Sequence, residues 1–370
     1  MAEILVSPGV LANENDQSFV TQQPVTLGAA LIGPTVKGPV EDPVLVTTFS
    51  DYSSRFGTSL QSGSGTYTPL TTLAAQNYFA NGGTSLTVAR AVPSASLWTF
   101  ATASVGTYIS HSFNGGAVLT SSVVNPGETG FGSIAYYTAS VTIESLDKGI
   151  EFNNSGSLLA NDALSTGSVD NIRWEVATNN TSSGLFSLVI RRGDDTDVNK
   201  VVLETFPNLS LDETQPNYIS AVIGDQTRNY NVTENYIEIS GSHPNNSRYI
   251  RVKSVLKPTY NFFDNAGNAR SIYTASIPAV GSGSAGGTFT GGVGSNFQNQ
   301  GIAAVGATNY YNAINASNTQ GLVGKDYNNM ISLLANQDDF SFNAIATPGI
   351  YYDDYSSQVT TIINNTQVRG

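Results

Sequence analysis

From Pro93 to Pro278 the chain carries almost no helical period, and that long block limits the folds open to it more than any other feature. Alternating runs rich in Val, Ile, Tyr and Thr recur there between Gly, Asn and Asp turns: AVLTSSVV, AYYTASVTIE, NIRWEVAT, LFSLVIRRG, VNKVVLETF, NYISAVIG, NYIEIS and SRYIRVKSV. A repeat of two puts successive side chains on opposite faces of a sheet, so these runs are expected to be strands, in one or two all-β subdomains. Helical spacing is found on either side of the block. The chain therefore reads as a mixed α+β, multidomain protein. A split α/β core at 25–92 and 288–370 is interrupted by a β-rich insertion at 93–278, with a Gly/Ser linker at 279–287.

The first half of the core opens after Pro24. VTLGAALIG (25–33) is a near-continuous apolar run, as expected of a strand covered on both faces. Gly33-Pro34 and Gly38-Pro39 mark turns after it, and PVLVTTF (43–49) is a second short apolar segment. DYSSRFG is expected to be helical, with Ser50 as N-cap, Asp51 in the first turn and Gly57 as the stop. QSGSGTYT reads as a loop. In PLTTLAAQNYFA, Leu70, Leu73, Ala74, Asn77 and Tyr78 recur at helical spacing, and Asn81-Gly82-Gly83 ends the run. TSLTVARAV is then a strand. After the linker, NYYNAIN and KDYNNMISLLANQ read as helices, FSFNAIATPGIYY as a strand ending at Pro348-Gly349, and DYSSQVTTIINNTQV as a helix.

Residues 1–24 read as an extended arm. The apolar ILVSPGVL is broken by Pro8-Gly9 and followed by polar ANENDQS, so the segment cannot bury itself alone and is suited to pair with a sheet edge.

Charge narrows the partners. The formal net charge is −12, and no basic stripe is present to neutralise phosphates, which disfavours nucleic acid and attachment to anionic membranes. With no cysteine, disulfides, thiolate zinc sites and Cys nucleophiles are excluded. Only 12% of residues are charged while 40% are hydrophobic, a balance that suits a subunit packing against many copies of itself. The N-terminus shows no basic region before an apolar stretch, and no run approaches the roughly 18 apolar residues of a membrane span, so a soluble protein made in a cytoplasm is expected.

Chemical motifs are weak. GSGSAG at 281–286 matches G-x-G-x-x-G, but GTFTGGVGSN follows it where a helix should aim its N-terminus at a pyrophosphate. Asp195, Asp197 and Asn199 alternate like calcium ligands, yet Lys200 stands where the turn glycine belongs, and a hairpin tip is the simpler reading. His111 and His243 sit in turn-like contexts without a triad arrangement. Asp353-Asp354 fit a helix N-terminus. No cofactor, metal or enzymatic activity is expected.

The order of the pieces nonetheless resembles contractile phage tail sheath proteins. That pattern comprises an SPGV arm, a G-x-x-x-GP-x-x-x-P segment, an element ending in FG, then a helix and NGG before an Arg. This chain matches it at Ser7-Pro8-Gly9-Val10, Gly38-Pro39, Pro43, Asp51, Phe56-Gly57, Asn81-Gly82-Gly83 and Arg90, with Tyr52 in place of the usual Phe. A second patch, LETFPNLSLDETQPNYISAVIG followed by SRYIRV, and a third, FSFNAIATPGI before a helix, are similar to further sheath segments in the same order.

The resemblance implies a virion-tail subunit, made and assembled in a bacterial host cytoplasm. It would polymerise as stacked hexameric rings around an inner tube protein, between baseplate and tail terminator proteins, and contract by rigid-body rearrangement to drive the tube through the host envelope. The insertion would lie outermost. Ile4, Val6, Pro8, Val10 and Phe19 would be interface residues of the arm. Arg55 and Arg90 are expected to pair within the chain rather than across subunits. In the family a further strand and a C-terminal domain follow the last helix, and that part is expected to be missing here. An alternative reading is a surface adhesin that binds glycans through aromatics of the insertion, Tyr108, Tyr136-Tyr137 or Tyr236, although aromatics alternating in strands more often belong to a core.

Overall fold

The apolar run of the first core strand is buried on both faces, and its alternate residues serve two different layers. The computed structural model describes residues 28–62, 65–93, 97–113, 132–281, 287–294, 322 and 324–369, with backbone alone at 61, 62, 65, 108–113 and 132–137. β1 is Ala29–Gly33. Ala30 and Ile32 join one buried cluster, and Leu31 joins another on the opposite face.

The elements that follow are β2 (Val44–Val46), α1 (Phe49–Phe56), β3 (Leu60–Ser62), β4 (Gly65–Tyr67), α2 (Leu70–Ala80) and β5 (Leu86–Arg90). After the insertion come a 3-10 turn (Gly324–Tyr327), a helix at Asn328–Leu333, a strand at Ala344–Ala346 and a helix at Tyr352–Arg369. The strand at Ala344–Ala346 pairs in parallel with β1, Ala29 opposite Ala344, although more than three hundred residues separate them. β1 also pairs in parallel with β5, and β2 closes that side antiparallel. Tyr52 and Phe56 of α1 and Ala75 of α2 cover one face; Met330, Ile331 and Leu334 from the later segment cover the other.

The insertion contributes β6 (Thr102–Phe113), β7 (Gly132–Ser145), β8 (Ile172–Asn180), β9 (Leu185–Arg192), β10 (Val202–Ser210), α3 (Ile219–Ile223), β11 (Thr227–Asn231), β12 (Tyr236–Ser240), β13 (Ile250–Val255) and α4 (Ser271–Thr274). The later core elements are thus α5 (Asn328–Leu333), β14 (Ala344–Ala346) and α6 (Tyr352–Arg369). Two three-stranded antiparallel sheets, β10-β9-β8 and β13-β7-β6, share one apolar cluster that includes Trp174, Phe186, Ile143, Val252 and Phe289. The β11–β12 hairpin reaches back to the core: Tyr230 and Ile237 pack on the α5 cluster, and Asn235 Nδ2 donates to the Ser332 carbonyl.

Several local expectations need correction. QSGSGTYT is not a plain loop, because β3 and β4 pair with Leu60 opposite Tyr67. NYISAVIG holds α3 rather than a strand. Ile219 and Ile223, one turn apart, are both fully buried, and Gly224 at φ 108° stops the turn. The N-cap of α1 is Thr48, not Ser50: its Oγ1 accepts from the Asp51 N–H at 3.0 Å. In α2 the buried side is Thr71, Thr72 and Ala75. Helical spacing there found the helix but not the face, because Gly33 admits Thr71 against β1 and Thr72 Oγ1 meets the Tyr52 hydroxyl at 3.1 Å. α6 is kinked at Tyr355, φ −134°. AVLTSSVV (117–124) and NYYNAIN (309–315) lie outside the described residues, as does the whole arm.

Candidate functional site at the core–insertion junction

Motif residues spread from Gly38 to Arg90 in the sequence meet at one point. α1 is short, and its i, i+4 pair Tyr52 and Phe56, with ring centres 5.3 Å apart and planes tilted by 31°, packs on the sheet. The Phe56 ring lies against the backbone of Gly38, where a Cβ would stand 2.5 Å from Cδ1 and φ is +116°. Only glycine accepts both constraints. Gly57, at φ 72°, ends α1 and lies over Val36, while the Phe56 carbonyl accepts from the Lys37 N–H at 3.1 Å. Arg90, the last residue of β5, reaches the same turn: Nη1 donates to the Gly38 carbonyl at 2.6 Å and Nη2 to the Val36 carbonyl at 3.4 Å. It is 2% exposed, and its guanidinium lies 5.2 Å from the centre of the Trp98 ring. Burial pulls its pKa down to about 10, against the fields of Asp147 and Glu151.

Around this node runs an ionic seam between core and insertion. Lys37 pairs with Asp170 at 3.2 Å. Arg228 grips Asp42 through two bonds, at 2.7 and 3.0 Å. Arg248 pairs with Asp51 at 3.1 Å, and Arg55 donates to the Arg248 carbonyl at 3.2 Å. Each of these contacts joins core to insertion, so Arg55 and Arg90 both act within the chain. An open groove of about 330 Å³ follows the seam, lined by Leu45 of β2, Arg55, Phe100, Arg228 and Arg251.

Asp147 is the charged group that sequence reading missed. It is 3% exposed, and burial raises its carboxyl pKa to about 6 despite the opposing fields of Arg55, Arg90 and Lys37. Asp42 adds to the rise. In the unfolded chain an Asp titrates near 3.9. The folded value is the higher one, so the group's contribution to stability is fully present below about pH 4 and is lost as pH rises to about 6. Asp147→Asn is therefore expected to raise the unfolding free energy at pH 7.5 by on the order of 2 kcal/mol, with much less gain at pH 4. Urea unfolding at both pH values checks this. An equal gain at the two pH values would assign the effect to something other than the carboxylate. No sequence signal marks Asp147, because SLDKG reads as an exposed turn.

The other candidates are placed as follows. Asp195 is fully buried and held by Arg191, Nε to Oδ2 at 2.7 Å and Nη2 to Oδ1 at 2.8 Å, while Arg191 Nη1 also reaches Asp197 and Glu175. These carboxylates serve guanidinium groups at the β9–β10 hairpin. Among the described residues no cluster of three or more His, Asp and Glu could hold a metal ion. His243 Nδ1 lies 2.9 Å from Asp225 Oδ2 and the ring packs edge-on to Tyr218. Asp353 and Asp354 do stand in the first turn of α6. Tyr236 is 40% exposed on β12. The side chains of Tyr108, Tyr136, Tyr137 and His111 lie outside the described residues, as do Ile4, Val6, Pro8, Val10 and Phe19.

The second patch of the resemblance forms the bulged strand β10. Asn208 at φ 54° lies in its register shift, and buried Asp212 turns the chain toward α3 by accepting from the Thr214 N–H. In the third, Gly349 at φ 88° follows β14.

No family model matches this chain, and no curated protein matches it. Solved structures similar to it include two sheath tail proteins. One, a sheath tail protein from Listeria innocua, is 12% identical with a TM-score of 0.40, over 93% of this chain and 44% of that one. The other, a sheath tail protein from Desulfitobacterium hafniense, is 10% identical with a TM-score of 0.34, over 95% of this chain and 48% of that one. The chain thus spans less than half the length of either. No helix among the described residues is long and apolar enough to cross a membrane.

Proposed function

We propose that this chain is a structural subunit of a contractile tail sheath in a virion. The observation that carries this reading is the node at Arg90. The sheath-like motif residues Gly38, Phe56, Gly57 and Arg90 depend on one another physically, through the Arg90–Gly38 bond and the Phe56 ring on Gly38. Chance matches scattered over fifty residues have no reason to converge.

In this reading 1–24 is a connecting arm, 25–92 with 288–370 is the core, and 93–278 faces outward. Subunits stack as hexameric rings on an inner tube, between baseplate and terminator proteins. The sheath contracts because its two packings differ in the free energy of their subunit contacts, so no catalytic step is required. The seam gives the mechanism a physical basis within the subunit. Ion pairs and backbone-directed bonds at Lys37, Arg55, Arg228 and Arg248 tie core to insertion, so that the two travel as one body and the repacking falls on contacts between subunits. The arm, through Ile4, Val6, Pro8, Val10 and Phe19, links neighbours by adding a strand to a sheet edge.

Electron microscopy of the purified chain, and of any longer product of the same reading frame, tests this. Tubes or stacked six-fold rings are expected from at least one of the two. Deleting residues 1–24 is expected to abolish them while leaving a folded monomer by circular dichroism. Discrete small oligomers from both forms at every salt and protein concentration would overturn the sheath reading.

A further inference from the structure

A second cavity, of about 290 Å³, is lined by Ile150, Asn153, Ser155, Thr166, Ser168 and Phe289, none of which lines the groove along the seam. Asn153 is 6% exposed. Its Nδ2 donates to the carbonyls of Asp147, at 3.2 Å, and Gly149, at 2.6 Å. That fixes the orientation of the amide, because the opposite one would set its oxygen against two carbonyl oxygens. Asn153 Oδ1 is then a buried acceptor without a hydrogen bond among the described residues. Buried acceptors are nearly always satisfied, so this one marks a place for a donor beyond the described residues.

The walls say what kind of donor. Glu151 adds a carboxylate to the hydroxyls of Ser155, Thr166 and Ser168, and among the described residues neither Lys nor Arg lines the cavity. An anion would meet the Glu151 carboxylate with no cation among the described lining residues, whereas a neutral group rich in O–H donors finds several acceptors. Two of the hydroxyls are already held in place: Thr166 Oγ1 donates to Asn154 Oδ1 at 2.7 Å, and Ser168 Oγ accepts from the Asp170 N–H at 3.2 Å. Ile150 supplies an apolar wall. The volume sits at the small end of ligand pockets, which run from about 300 to 1,000 Å³, so it suits a single ring rather than a chain.

We propose that this cavity binds one pyranose unit of a glycan, with Asn153 Oδ1 accepting from a sugar hydroxyl. The site stands independently of the sheath reading, and either can fail alone.

The test is calorimetric and saturation-transfer titration of the intact chain with free glucose, galactose, mannose and N-acetylglucosamine, and separately with calcium chloride. Saturable binding of at least one sugar is expected. Ser155→Trp, at an exposed position on the cavity wall, is expected to weaken it about tenfold or more without moving the unfolding midpoint. Asn153→Ala should abolish binding, and Ser155→Trp keeps the test decisive if that variant does not fold. Absence of saturable binding with all four sugars, binding that Ser155→Trp leaves unchanged, or calcium binding that Ser155→Trp abolishes in place of sugar would each overturn the proposal.

Discussion

Replacing Arg90 by Met is expected to lower the unfolding free energy by about 3–5 kcal/mol, as when one partner of a buried charged network is removed. Three losses coincide. The Gly38 and Val36 carbonyls lose a charged donor, each such bond being worth roughly 1.5–3 kcal/mol. Trp98 loses the cation beside its ring, about 0.5–2 kcal/mol. Asp147 loses one of the cations that oppose its burial. These do not add, since one side chain makes all of them, and the range is set below their sum. Adding Asp147→Asn to Arg90→Met should recover part of the loss by removing the carboxylate left without that cation. Urea unfolding of the two variants checks both statements. A loss under about 1 kcal/mol for Arg90→Met would mean that the turn at 36–38 is held by α1 packing alone.

Arg191→Met should be comparably severe, again about 3–5 kcal/mol, but for a reason confined to the insertion. The side chains of Arg191 and Asp195 are both fully buried, and the pair shares two bonds near 2.7–2.8 Å. Without Arg191, the side chain of Asp195 keeps, among the described residues, the Arg173 contact at 3.4 Å and the Val201 N–H at 2.9 Å. Buried ion pairs differ from surface ones in that losing both partners is milder than losing one. The double variant Arg191→Met/Asp195→Leu is therefore expected to be more stable than Arg191→Met alone. Thermal unfolding of the three chains tests this. If the double variant is the less stable, Asp195 matters chiefly through its bond to Val201 and not through its charge. By contrast, the exposed pair Arg192–Asp194, 37% and 30% exposed at their side chains, should be worth less than about 1 kcal/mol.

The elements legible in the sequence are those specified by near neighbours along the chain. Gly57 ends α1 because a residue at positive φ is needed there, and that requirement is local. The apolar run at β1 announced a strand covered twice, and the period of two announced β7, β8, β9 and β13. The helical spacing of KDYNNMISLLANQ announced α5, which shares one buried cluster with β1. Where local signals competed, the outcome went to packing: NYISAVIG alternates well enough for a strand, yet α3 buries Ile219 and Ile223 together in the apolar cluster shared by the two three-stranded sheets.

What the sequence by itself determined, then, is most of the long strands and the helices next to clear stop signals, the net negative charge and the absence of thiol chemistry. Tertiary structure alone decided that Arg90 meets Gly38, that Lys37 meets Asp170, and that Asp147 and Asn153 are buried with unusual polar environments. Those contacts join residues 52 and 133 positions apart. A charged side chain carries no local mark of whether it ends in water or in a core. Its pKa and its worth depend on desolvation and on charges brought close only when the chain has folded.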